Sequence, residues 1–262
     1  IIPALNEAKY LPLLLDDLSK QTFLDFEVIV VDGNSDDQTV AKAKSFAQSL
    51  PRLTILSSPT RHVCVQRNLG AKHAKADIFI FMDADNRLPP YFLQGIKYRW
   101  ESDPTDILSC WLKPDIITPS NETIATALNL FLELQNNLKP TYLLEGLLVI
   151  CKQCFKNIGG FDETVNYAEG KSLIRAAISH GYTSKVVRDP IYTYSFRRLR
   201  KYGTINMVSR ITKMELYALL GQDSAKTKLS QLYPMLGGTS FSKSFPTQNR
   251  FLKRISQILQ DL

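Results

Sequence analysis

Apolar positions recur along the first hundred residues in two alternating periods, and the alternation predicts an α/β chain. Leu11, Leu14, Leu15 and Leu18 share one face at helical spacing. Residues 26–31 then make a nearly continuous, β-branched run that stops at Asp32-Gly33-Asn34, the pattern of a buried strand and a turn. Ser35 and Gln38 stand at capping-box spacing and predict a helix to residue 50. A strand at 53–56, a helix at 65–75 and a fully apolar strand at 78–82 follow. Pro89-Pro90 opens another helix, with Phe92, Ile96 and Trp100 on one face.

Strands apolar on both faces, separated by amphipathic helices, imply a Rossmann-like, mostly parallel sheet covered on both sides. Ligands in such sheets sit beyond the carboxyl ends of the strands. Asn6 and Glu7, Asp32 and Asn34, and Asp83 and Asp85 each follow directly after one of these runs, so separate strands deliver acidic groups to one edge.

After residue 104 the pattern loosens. A helix is expected at 123–138, a strand at 142–150, a turn at Gly159-Gly160-Phe161-Asp162-Glu163 and a helix at 171–180. From Phe196 the chain turns basic and amphipathic, with Arg197, Arg198, Arg200, Lys201, Arg210 and Lys213, and residues 240–249 are polar.

Composition narrows the classes. With 262 residues, 44% hydrophobic and 22% charged, the chain can bury a core without disulfides or metal staples. No apolar run reaches the roughly 20 residues of a membrane span. The nearest, residues 143–150, is interrupted by Glu145 and Gly146 and reads as a buried strand. Because the sequence opens at Ile1 inside an apolar run, residues upstream of it are expected. Cys151 and Cys154 form a single C-x-x-C without a second pair or spaced histidines, which argues against zinc. Without a helix opening there, they read as reduced thiols near a strand end, in a reducing compartment. Dinucleotide oxidoreductase and serine hydrolase motifs are missing. Gly170-Lys171-Ser172 is no P-loop, since Val165 stands where that motif needs glycine.

Asp83-Ala84-Asp85 places two carboxylates at i and i+2, which in extended chain point the same way and suit one hard cation bridging a diphosphate. The same triplet also occurs as a plain helix cap. Asp32 offers acceptors to a base or ribose, or simply starts its turn. Glu7 reads equally as a first-turn helix charge. Arg67 is either a bidentate phosphate ligand or a surface residue of its helix.

Taken in order, Ile1-Ile2-Pro3-Ala4-Leu5-Asn6-Glu7, Val30-Val31-Asp32-Gly33-Asn34-Ser35-Asp36-Asp37-Gln38-Thr39, Arg67-Asn68-Leu69-Gly70-Ala71, Phe81-Met82-Asp83-Ala84-Asp85 and Gly159-Gly160-Phe161-Asp162-Glu163 resemble the motifs of glycosyltransferase family 2 over residues 1–190. The resemblance implies a GT-A fold and inverting, metal-dependent transfer of a hexose-like sugar from a UDP- or GDP-sugar. The acceptor would be a glycan or a lipid-linked glycan of the cell envelope. It implies a catalytic domain at 1–195, with a nucleotide-binding half at 1–103 and an acceptor half at 104–195, and an extension at 196–262. By the same resemblance Pro3, Ala4, Glu7, Asp32, Asn34, Arg67 and Asp83 contact the nucleotide sugar. Asp83 and Asp85 hold Mg2+ or Mn2+, and Gly160 and Asp162 lie near the sugar or acceptor.

The family's base is usually the Asp of a Glu-Asp pair, with a further Asp two residues on. Here the stretch is Glu169-Gly170-Lys171-Ser172, so Glu169 is the expected base and Gly170 and Ser172 depart from the pattern. That departure leaves open a second reading, a catalytically impaired binding or scaffold module. A sugar-nucleotide nucleotidyltransferase would need a glycine-rich basic loop that residues 3–7 do not offer. The stretch 197–201 reads either as a solvated face or as a surface for the donor diphosphate or anionic lipid headgroups. The expected place is the cytoplasm, at the inner face of its membrane, with no nucleic-acid partner.

Overall fold

A computed structural model of the chain describes residues 1–138, 144–165, 169–203 and 206. Its strands are β1 (Ile2–Ala4), β2 (Val28–Asp32), β3 (Leu53–Ser57), β4 (Ile78–Met82), β5 (Ile107–Pro114), β6 (Leu147–Cys151) and β7 (Ser184–Tyr194). The helices are α1 (Leu11–Ser19), α2 (Thr39–Lys44), α3 (Val63–His73), α4 (Phe92–Ser102), α5 (Pro119–Leu138), α6 (Lys152–Asn157), α7 (Glu169–Ser179) and α8 (Arg197–Tyr202).

β1, β2 and β3 form one parallel sheet, and β4, β6, β5 and β7 a second in that order. Two backbone hydrogen bonds join them, Ile1 N to Ile80 O at 2.8 Å and Met82 N to Ile1 O at 3.1 Å. Bonds from one residue to two positions two apart are the parallel pattern. β6 runs antiparallel to both its neighbours, whereas β5 and β7 are parallel. The sheet is thus mostly parallel, as expected, with β6 reversed.

Side chains alternate across this sheet into two cores. Ile2, Val30, Met82, Leu147 and Val149 pack with the leucines of α1, with Phe92 and Ile96 of α4, and with Leu132 of α5. Phe79, Phe81, Leu148 and Ile150 face the other way, onto Ala71 of α3, Phe155 of α6 and Leu173, Ile174 and Ala177 of α7. Helices therefore cover both faces. Edge-on rings of Phe79, Phe81, Phe155 and Phe161 fill the second core.

Several local expectations differ from the structure. α2 ends at Lys44, and Ser35 does not cap it. The Ser35 hydroxyl instead donates to Asp32 Oδ1 at 2.5 Å and accepts the Asn6 N–H at 2.9 Å. β5 and β7 were not legible, because Ser109 and Cys110 dilute the first run and Arg188-Asp189-Pro190 breaks the second. The thiols of the C-x-x-C do open a helix: Cys151 N-caps α6, its sulfur accepting the Cys154 N–H at 3.1 Å. Burial pushes the Cys154 thiol up to about 12, so it is not a ready nucleophile. All four cysteines are free.

Among the described residues no helix is long and apolar enough to cross a membrane. The extension at 204–205 and 207–262, including Arg210 and Lys213, lies outside the described residues.

Candidate active site

Arg67 organises the site, and a glycine one turn along α3 lets it do so. A Cβ at Gly70 would lie 2.4 Å from Ile1 Cγ2 and 3.1 Å from Val31 Cγ2, so only glycine brings α3 this close to β1 and β2. Arg67 is then 1% exposed, not the surface residue that one reading of its helix allowed. Its Nη1 donates to Glu169 Oε1 at 3.0 Å, and its Nη2 to Asp83 Oδ1 and to the Glu145 carbonyl, both at 3.1 Å. The Phe161 ring lies 5.1 Å from the guanidinium. One buried cation thus ties α3, the end of β4, the approach to β6 and the start of α7.

A second cation closes the other side. Arg197 of α8 donates to Glu7 through Nη1 at 2.9 Å and Nη2 at 2.5 Å, and its Nε lies 2.8 Å from Asp85 Oδ2. Arg200 grips Asp115 with two bonds of 2.7 Å. The basic stretch is therefore no solvated face at Arg197, which turns inward, whereas Arg200 stays exposed while it pairs with Asp115.

Charge and burial are out of balance here. Burial, against the opposing pull of Arg197, raises the Glu7 carboxyl to about 7. Burial first, and then the Glu169 charge, raises Glu145 to about 8. Asp83 is raised as well, by burial against the pull of Arg67 and with a push from Asp85; its side chain keeps 34% exposure, so solvent tempers the effect. Burial works against the charge of Arg197, yet bonding to Glu7 and the charge of Asp85 hold it firmly protonated.

Other expected residues are placed differently. Asp32 is buried at the end of β2, but its carboxylate is occupied by the Ser35 N–H at 3.0 Å and the Ser35 hydroxyl. Pro3 and Ala4 pair with Val31 and Asp32, and the Ala4 carbonyl accepts from Gly33 N and from Gln66 Nε2. Asn34 is exposed at φ 61°, with its carbonyl on Arg61 Nη2 at 2.7 Å. Gly160 turns at φ 77°, where a Cβ would meet Asn68 Oδ1 at 2.8 Å. Asp162 accepts the Thr164 N–H at 2.9 Å. Phe161, between Gly160 and Asp162, lies against the Arg67 guanidinium. Glu145 was read only as an interruption of an apolar run, and an acid inside such a run is itself the signal that it has a task.

A divalent cation is tested by the donor chemistry. Glu7, Asp83 and Asp85 offer hard oxygen donors only, in a cluster whose acids outnumber its arginines, which suits Mg2+ or Mn2+. Asp85 is now satisfied by Arg197, so a cation there would take the place of that guanidinium. Among the described residues no group of three ligating side chains is already gathered for a metal. A groove of about 820 Å3 lined by Asn6, Lys9, Tyr10, Lys42 and Phe46 is also lined by Arg197 and by neither acid of the Asp83-Ala84-Asp85 motif.

A split α/β sheet with one reversed strand, and acids at the ends of its parallel strands, fits the GT-A fold. Solved structures agree on that fold. The mannosyltransferase PcManGT from Pyrobaculum calidifontis, in complex with GDP-Man and Mn2+, superposes with a TM-score of 0.64 at 19% identity over 98% of this chain and 79% of that one. TarS 1-349 of S. aureus, in complex with UDP-GlcNAc, gives 0.61 at 23% identity over 96% and 74%. The family described as Glycosyl transferase family 2 matches residues 1–154, more than half of the chain. The chain belongs to that family.

Among curated relatives, a PGL/p-HBAD biosynthesis glycosyltransferase of Mycobacterium bovis is 40% identical over 111 residues, 41% of this chain and 43% of that protein. The poly(ribitol-phosphate) beta-N-acetylglucosaminyltransferase TarS of Staphylococcus aureus is 24% identical over 89% of this chain and 41% of its own length. The chain thus spans less than half the length of these relatives.

Proposed function

We propose that the chain is an inverting glycosyltransferase that moves a sugar from a nucleotide-diphosphate sugar to an acceptor hydroxyl in cell-envelope glycan synthesis. The observation that carries the proposal is the meeting of Glu7, Asp83 and Asp85 with Arg67 and Arg197 at the ends of parallel strands. The proteins of like fold bound to UDP-GlcNAc or GDP-Man support a UDP- or GDP-sugar donor. The relatives named for PGL/p-HBAD biosynthesis and poly(ribitol-phosphate) support a glycan or lipid-linked acceptor.

On this reading Pro3, Ala4, Asp32 and Asn34 line the nucleoside, with Glu7 and Arg67 beside it. Asp83 and Asp85 would hold Mg2+ or Mn2+, which would offset the charge of the departing diphosphate. Arg197, released from Asp85, offers the phosphates a second cation. Gly160 and Asp162 lie towards the acceptor side. Glu169, fixed by Arg67, takes the acceptor proton as the hydroxyl oxygen attacks the anomeric carbon from the face opposite the leaving group. The active chain works in the cytoplasm, against the inner face of the membrane.

Calorimetric titration of UDP- and GDP-sugars with and without Mn2+, and assay of nucleoside diphosphate release, test this. Binding that needs Mn2+ and is lost in Asp85→Asn is expected. Glu169→Gln should bind donor as the parent does while losing turnover at least about 100-fold. Equal turnover in that variant refutes the base assignment, and donor binding without turnover in the parent favours the impaired binding module.

A further inference from the structure

Glu145 is a half-buried acid that takes no part in the transfer chemistry proposed for the site. It stands at the approach to β6, between Leu144 and Gly146, both packed into the fold. Its neighbour Gly146 is sterically required: a Cβ there would lie 2.6 Å from the Tyr194 ring and 3.6 Å from Asp83 Oδ2. The Gly146 carbonyl accepts from the Asp83 N–H at 3.0 Å and from Asn86 Nδ2 at 2.5 Å. The main chain at 145–146 is thus locked to the end of β4, and Arg67 holds it from the other side through the Glu145 carbonyl.

Its carboxyl reaches across to α7. Glu145 Oε1 accepts the Gly170 N–H at 2.9 Å, one of the first-turn donors that a helix leaves without an internal partner. Arg67 bonds the carbonyl of Glu145 but the carboxylate of Glu169. Two acids therefore meet at the start of α7 with different partners. Glu169 has a guanidinium, while Glu145 has a backbone amide and a helix N-terminus.

We infer that Glu145 is a positioning residue for the proton-accepting end of the site: it clamps the first turn of α7 to the end of β4, and so fixes where Glu169 meets the acceptor. The inference rests on the transferase reading. It deepens that reading by adding to the Arg67 bond a second hold, on the Gly170 N–H next to Glu169.

The groups facing Glu145 are Glu169 of α7, Arg67 and Cys64 of α3, and Tyr192 of β7. Burial and the Glu169 charge favour its neutral form up to about 8. In that state Glu145 does not compete with Glu169 for the Arg67 guanidinium. The chemical step then balances simply: the acceptor O–H breaks, its proton goes to Glu169, the oxygen bonds to the anomeric carbon, and the bond from that carbon to the diphosphate breaks with its electron pair leaving on the nucleotide. Above about 8 Glu145 ionises and a second anion competes with Glu169 for Arg67, which loosens the hold on Glu169 while the Gly170 N–H bond itself persists.

The test compares Glu145→Gln, Glu145→Ala and Glu169→Gln in the full chain. Glutamine keeps an acceptor for the Gly170 N–H and cannot ionise; alanine loses both. Glu145→Ala should lower kcat at least about tenfold while nucleoside diphosphate affinity changes less than about twofold. Glu145→Gln should hold kcat at pH 7 within about threefold and abolish the alkaline fall in rate near 8. Carbon-13 NMR of labelled glutamate should find a carboxyl titrating near 8 that Glu145→Gln removes and Glu169→Gln leaves in place at a lower value. An unchanged kcat in Glu145→Ala, or an alkaline limb that survives in Glu145→Gln, overturns the inference. If Glu145→Ala does not fold, the glutamine variant and the NMR titration decide alone. A parent that binds no nucleoside diphosphate defeats the transferase reading and this one with it, whereas a parent that turns over alongside an indifferent Glu145→Ala defeats only this one.

Discussion

Replacing Arg197 by methionine separates what the arginine does for stability from what it does to the metal position. The side chain is 11% exposed and pairs with Glu7, 4% exposed, and Asp85, 10% exposed. Methionine keeps much of the packing volume and removes the charge. Breaking a buried pair by removing one partner costs about 3–5 kcal/mol, since the remaining charge is left without compensation. Near the melting point of a chain this size, each kcal/mol is worth roughly 2–4 °C. The variant should therefore melt roughly 6–12 °C below the parent in EDTA, taking the low end of that cost. The deficit should be larger at pH 8 than at pH 6. Without the pull of Arg197, Glu7 rises beyond the parent's value of about 7, so the folded variant must keep a proton there, at a cost that grows with pH after the parent has released its own. Mn2+ should then restore the variant more than it stabilises the parent, where Asp85 already has a cation. Differential scanning calorimetry across pH and Mn2+ concentration reads all of this. A variant that melts within about 2 °C of the parent, or equal Mn2+ shifts in both proteins, refutes the reasoning.

Further outcomes can be stated briefly. Gly146→Ala should destabilise by about 1–3 kcal/mol in urea unfolding, because the new methyl meets the Tyr194 ring at 2.6 Å; a neutral result would mean that β7 yields easily. Between pH 6 and 8.5 stability in urea should fall: Glu7 and Glu145 have folded values near 7 and 8 against an ordinary 4.5, so their contribution is complete below 4.5 and is lost as pH rises through the folded values. A flat or rising profile in that window contradicts the raised values. Arg67→Lys should cost more activity than stability, since a single ammonium cannot reproduce the fork that spans Glu169 and Asp83; kcat comparable to the parent would argue against a positioning role.

What could be read in the chain follows from how local the signal is. Leu11, Leu14, Leu15 and Leu18, and the run ending at Met82, announce their elements because their neighbours in sequence carry the period. The acids at Glu7, Asp83 and Asp85 were legible for the same reason, each standing directly after an apolar run. β7 was hidden by Arg188-Asp189-Pro190, and its place is fixed by pairing with β5 some 80 residues earlier, as in the register of Ile107 with Ser184. Tertiary partners were likewise invisible: nothing near Arg197 in sequence says that it reaches Glu7 and Asp85. The Ser35-to-Gln38 spacing misled because Asp32, three residues earlier, competes for the serine hydroxyl and wins by fixing the loop to Asn6.

The charge distribution around these strand ends is hard to explain as a device for stability alone. A fold selected only to persist has little reason to bury Glu7, or to set the half-buried Glu145 beside Glu169, so that both carboxyls rise well above the ordinary carboxylate range. Nor does it need two arginines from distant elements, α3 and α8, to pair with these acids. Such a surplus of negative charge is useful when something cationic or proton-bearing is due to arrive, because the unfavourable burial is relieved on binding. The two halves of the cluster differ in a way that suits two tasks. At the Arg197 end the acid Asp85 is held by a side chain on a short helix that can exchange places with a cation. At the Arg67 end Glu169 and Glu145 are fixed by a fully buried guanidinium and by main-chain amides, which leaves a proton as the species able to come and go. Replaceable pairing on one side and rigid pairing on the other suits the division between leaving group and acceptor in the transfer proposed for this chain.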